Sequence, residues 1–115
     1  MTTERRKEGR TPIALSIDVE DEYFNEKIGK LVDISPKGLR TIGPDPIEVN
    51  DELKLCLHLP EQILGKRTIR LTAECVWSMQ EPETGHWLNG FEFSSVSEHN
   101  SSLIIGLIME NRETE

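Results

Sequence analysis

The sequence predicts a mainly β protein: a small antiparallel barrel of six short strands, preceded by a flexible basic arm and closed by one C-terminal helix. Three observations predict it. Apolar residues recur with a period of two from Ile13 to Phe93, turn residues interrupt them at short intervals, and beyond Ser95 the period becomes that of a helix.

The elements follow in order. Ile13, Leu15, Ile17 and Val19 alternate with Ala14, Ser16, Asp18 and Glu20, so one strand with one buried face is expected from Thr11 onward. Polar residues around Asp21–Asn25 read as a turn, Lys27–Ser35 as the second strand, and Gly38–Ile42 as the third. Gly43-Pro44-Asp45-Pro46 ends the third strand in a loop. Leu53, Leu55, Leu57 and Leu59 form the apolar face of a fourth strand, which Pro60 is expected to stop. Ile69, Leu71, Ala73, Cys75 and Trp77 form the face of a fifth. After the turn signals of Glu81-Pro82-Glu83-Thr84-Gly85 comes a sixth, with Trp87, Asn89, Phe91 and Phe93. Ser95-x-x-Glu98 matches a capping box, and Leu103, Ile104, Leu107 and Ile108 share a helical face, so a helix is expected over about 97–111. The expected organisation is an arm over 1–11, a barrel with its helix over 12–111, and a frayed tail over 112–115.

Composition bounds the function. The 115 residues carry a net charge of −8, 30% charged and 36% hydrophobic side chains, enough for one ordinary core. No run approaches the ~18 apolar residues of a membrane span, so membrane insertion is not expected. The first residues lack the apolar stretch of a signal peptide, and two cysteines are too few for a disulfide scaffold; a cytoplasmic location follows as the expectation. Residues 1–10 hold four basic side chains against two acidic ones, while the other 105 hold nine against nineteen. A small basic arm on an acidic body is unsuited to DNA or RNA and suited to a compact anion of one or two phosphates.

Two segments carry candidate chemistry. Arg6 and Arg10 are four apart, with Arg5 immediately before them. Gly9 and Thr11-Pro12 argue for an extended backbone, in which four residues span up to ~13 Å, enough for two guanidiniums to grip opposite sides of a nucleotide. Guanidinium is planar, always charged and bidentate toward phosphate and toward guanine O6 and N7. The plainer alternative is a solvated basic tail. In Asp33-Ile34-Ser35-Pro36-Lys37-Gly38, Asp33 and Ser35 share a side of the strand end, and Ser35 to Gly38 fits a type I turn. A carboxylate and a hydroxyl beside bare backbone can read the N1–H and N2–H donors of guanine while holding a phosphate; the plainer alternative is a capped hairpin turn.

Together, Arg6 and Arg10 followed by Asp33, Ser35 and Gly38 resemble the PilZ domain, a bacterial receptor for the second messenger cyclic di-GMP. The likeness extends to a late Gly90-to-Phe93 strand and a final helix. It implies a six-stranded antiparallel Greek-key barrel. It implies, too, that Arg6 and Arg10 engage guanine edges and phosphates, Asp33 and Ser35 meet them from the barrel, and Gly38 keeps the turn close. In this family the residue before the first arginine biases how many ligands bind. Arg5 stands there, so the resemblance favours an intercalated pair of cyclic di-GMP molecules, with a single molecule as the alternative. No cofactor is implied beyond this ligand, and any output passes to an unidentified effector protein in motility, pilus or exopolysaccharide control. An adaptor of the same fold, acting by protein contact without nucleotide, is the alternative.

Arg40 and Trp77 are secondary candidates. Arg40 reads either as a surface arginine or as a ligand contact, and Trp77 as barrel-rim packing or as a stacking platform for a base. Cys56 and His58 make only half a metal site, and the three histidines share no spacing for metal ligation or acid–base work, so neither a metal nor an enzyme is expected.

Overall fold

The computed structural model describes residues 10–112; the expectations for Arg5 and Arg6 fall outside them. Among the described residues, seven strands precede one helix: β1 (Thr11–Pro12), β2 (Asp18–Asp21), β3 (Glu26–Ile34), β4 (Gly38–Gly43), β5 (Glu52–Ile63), β6 (Lys66–Gln80), β7 (Trp87–Ser95) and α1 (Glu98–Arg112). All pairings are antiparallel. Six strands close a ring in the order β2-β5-β6-β7-β4-β3 and back to β2, while β1 adds two residues beside the end of β3. Strands β2, β3 and β4 follow one another, and β5 returns beside β2 after the long 44–51 connection. That is a Greek key.

The expected first strand is broken. The Ile13 amide bonds to the Val32 carbonyl and the Leu31 amide to the Ile17 carbonyl, so five residues face two and the chain between them loops outward. Leu15, expected inside, is therefore 46% exposed, while Ile17 and Val19 keep their places in the core. The excursion leans toward the helix, where the Ala14 amide meets Asn111 Oδ1 at 3.4 Å. Period-two patterning cannot see this, because bulged residues keep their alternation in the sequence while losing their ladder partners.

Two other boundaries differ. Pro60 does not stop β5: pairing lapses after His58↔Thr68 and resumes at Ile63↔Lys66, so the proline sits in an unpaired bulge where its missing N–H costs nothing. Leu64 and Gly65, both with φ above +50°, make the tight turn into β6. The helix cap is Ser97, not Ser95, which ends β7. Ser97 Oγ accepts from the Asn100 amide at 3.1 Å and its carbonyl accepts from the Ser101 amide. Leu103, Ile104, Leu107 and Ile108 are buried as expected, packing α1 onto the core formed by Ile17, Leu55, Leu57, Ile69 and their neighbours.

Leu107 lies wholly inside this contact, so Leu107→Ala should cost about 2–5 kcal/mol in urea unfolding. Ser97→Ala should cost about 1 kcal/mol. A loss well under 1 kcal/mol at Leu107 would show that the helix lends the barrel little.

Candidate ligand-binding cleft

Strand pairing brings the two sequence segments together. Thr11 pairs with Ile34 and Pro12 with Asp33, which sets Arg10 beside the end of β3, and Arg10 Nη1 lies 3.4 Å from Asp33 Oδ1. Asp33 is almost fully buried, at 4% exposure, and its main partner is Arg40 on the neighbouring strand β4. Arg40 Nε lies 3.0 and 2.9 Å from the two carboxylate oxygens, and its Nη2 also bonds to Oδ2. The carboxylate raises the Arg40 pKa above its already high ordinary value, so this cation is permanent. A buried carboxylate needs such pairing, since an unpaired charge there is strongly destabilising. The sequence reading missed this pair, though residues 33 and 40 stand symmetrically about a Ser35–Gly38 turn.

The turn has the side-chain capping of the plainer alternative. Ser35 Oγ accepts from the amides of Lys37 and Gly38, each at 3.2 Å, and the Ser35 amide bonds to the Gly38 carbonyl at 2.8 Å. Gly38 is required for a reason the sequence did not reveal. A Cβ there would lie 2.1 Å from the Phe91 carbonyl oxygen on β7, so the close approach is to the next strand.

Beside this turn lies a surface cleft of about 270 Å³, lined by Arg10, Ser35, Gly38 and Trp77 together with Lys37, Val76 and Glu92. Trp77 owes its place to a bulge. Cys75 faces Phe91 and Trp77 faces Gly90, leaving Val76 as the extra residue, and both Val76 and Trp77 line the cleft. A bulge re-aims side chains in this way. The indole lies against Gly90, where a Cβ would come within 2.4 Å of it. The glycine is there for the tryptophan. Lys37 could have been suspected from its place in the turn; Val76 and Glu92 carry no sequence signal.

Cys56 and His58 gain a neighbour, since β2 places Glu20 opposite Cys56 and the three ligand atoms lie within 4.8 Å of one another. His58 Nε2 is 2.9 Å from Glu20 Oε1, and burial pushes the Cys56 thiol pKa up, away from the thiolate a metal requires. No helix among the described residues is long and apolar enough to cross a membrane.

The model of one family, the PilZ domain, matches residues 4–110. The chain belongs to the PilZ domain family. PilZ domains are receptor and adaptor domains. No curated protein sequence matches this PilZ domain. Among solved structures it is similar to the Bacillus subtilis inhibitor of motility MotI/DgrA, with a TM-score of 0.72 and 19% identity over 93% of this chain and 51% of that one. It is similar to the PilZ domain with c-di-GMP of YcgR from Escherichia coli, with a TM-score of 0.65 and 11% identity over 91% and 89%. K. pneumonia MrkH in its apo state gives a TM-score of 0.67 and 14% identity over 92% and 52%. The chain thus spans about half the length of MotI and MrkH. At these identities the likeness is one of fold.

Arg40→Ala should destabilise this PilZ domain by about 1.5–3 kcal/mol, the usual worth of hydrogen bonds to a charged group. Arg40→Ala combined with Asp33→Ala should cost less than the two changes summed, when both are measured by chemical denaturation.

Proposed function

We propose that this PilZ domain is a cyclic di-GMP receptor whose basic N-terminal residues close over the nucleotide at the cleft beside the Ser35–Gly38 turn. The observation that carries the reading is the meeting of two segments 23 residues apart: Arg10 touches Asp33 and shares a cleft with Ser35, Gly38 and Trp77. Arg10 brings a cation to a cleft that also holds Lys37, on a body that is otherwise acidic. Guanidinium pairs bidentately with phosphate and with the O6/N7 edge of guanine. Ser35 offers a hydroxyl at the rim, and Trp77 offers an aromatic face for a base. Arg6 completes the grip with Arg10, and Arg5 recruits a second, intercalated molecule. The ordered arm then presents a surface that the free protein lacks, and an effector protein in motility, pilus or exopolysaccharide control reads it. No reacting group is needed for this role.

A second reading has one observation in its favour. Asp33 is already held by Arg40 and Arg10, so guanine donors would have to share or displace an existing ion pair. A PilZ adaptor that works by protein contact alone would keep that pair undisturbed.

Calorimetric titration with cyclic di-GMP, with GTP as control, separates the two. The receptor binds cyclic di-GMP and not GTP, and Arg10→Ala loses about 2–5 kcal/mol of affinity, as when one member of a desolvated charge pair is removed. About two ligands per chain, reduced to one in Arg5→Ala, supports the intercalated pair. Silence from the wild type, or unchanged affinity in Arg10→Ala, removes the receptor reading.

A further inference from the structure

Two of the six aromatic residues lie outside the core at the turn between β2 and β3. Tyr23 is 77% and Phe24 67% exposed, and they pack on each other edge to face, with ring centroids 4.8 Å apart. The turn that carries them is anchored. The Glu22 amide bonds to the Lys54 carbonyl on β5, and the Glu22 carboxylate meets Arg70 on β6. Asp21 Oδ1 accepts from the Tyr23 amide at 3.0 Å, and Asn25 takes a left-handed φ of 55°. Holding large apolar rings rigidly in water lowers the ordering cost of whatever covers them.

The surroundings are acidic. A cleft of about 370 Å³ on one side of Phe24 is lined by Glu26, Asp45, Glu48 and Asp51, with Lys27 as the only cation among the described residues that line it. A second, of about 410 Å³, lies between Tyr23, Phe24, Asp51 and Glu52, with Lys54 as its cation. Both share Asp21 and Leu53. Apolar anchors ringed by carboxylates select against nucleic acid and anionic lipid and favour a segment that is basic and apolar together. The site lies at the opposite end of β3 from Asp33, roughly 23 Å along the strand from the cleft.

We infer that the Tyr23–Phe24 turn and its two acidic clefts are a docking surface for a partner protein segment that combines lysine or arginine with apolar side chains. The inference rests on the reading that this domain acts through a partner protein, and it is independent of nucleotide binding. Phe24 fills the partner's apolar position, Tyr23 braces it, and Asp45, Glu48 and Asp51 receive the cations.

A random dodecapeptide display library, panned on the wild type with counter-selection on the Tyr23→Ser/Phe24→Ser double variant, tests this. Enriched peptides should be net positive and carry aromatic or branched apolar residues. They should bind at least about tenfold more weakly to the double variant and more weakly as salt rises from about 0.05 to 0.5 M. Asp45→Lys/Glu48→Lys should weaken the same peptides. Recovery of no peptide that depends on the aromatic pair, or of neutral or acidic ones, overturns the inference. So does concentration-dependent self-association that the double variant abolishes, which would make a second copy the occupant. Tyr23, Phe24, Asp45 and Glu48 are all exposed, so both variants should fold, and their cyclic di-GMP titrations should match the wild type. Loss of peptide binding with nucleotide binding intact therefore separates this surface from the receptor reading.

Discussion

Closure of the barrel depends on β4, six residues that hydrogen-bond on both sides, to β3 and to β7. The last strand can reach the early part of the chain only if β4 sits tightly between them, and its two terminal residues are glycines. A Cβ on Gly38 would strike the Phe91 carbonyl oxygen, and one on Gly43 would come within 2.1 Å of the Ile28 carbonyl oxygen. Without that closeness the ring would open at one seam and expose two strand edges. The same strand carries Arg40 opposite Asp33, so the element that closes the barrel also neutralises the buried carboxylate at its rim.

Much of this was legible in the sequence, and the failures share a cause. Alternation identified the apolar faces of β5, β6 and β7, and the helical period identified Leu103 through Ile108, because burial on one side leaves its mark at every second or fourth position. Bulges leave no such mark. The excursion at Ala14–Ser16, the run through Pro60 and the extra residue at Val76 all change which way a side chain faces without breaking the pattern of residue types. Trp77 was readable as either rim packing or a base platform, and the bulge makes it both neighbour to Gly90 and wall of the cleft.

The site was legible to a similar depth. Ser35 caps the hairpin turn to Gly38, as the plainer reading of that segment has it, since local turn chemistry is written in adjacent residues; the contact of Arg10 with Asp33 was not foreseen. Nor was Arg40 as the chief partner of Asp33, because it follows from the register of two strands. Charge patterning revealed the basic arm, but the acidic ring about Tyr23 and Phe24 gathers residues from 21 to 52 that only the folded barrel brings together.

The ion pair between Asp33 and Arg40 has a consequence for how such a domain is tuned. Any ligand that recruits the Asp33 carboxylate competes with a guanidinium that is already bound to it. Under the proposed function, the affinity of the cleft for a ligand that also reaches Asp33 would depend partly on Arg40, a residue that does not line the cleft.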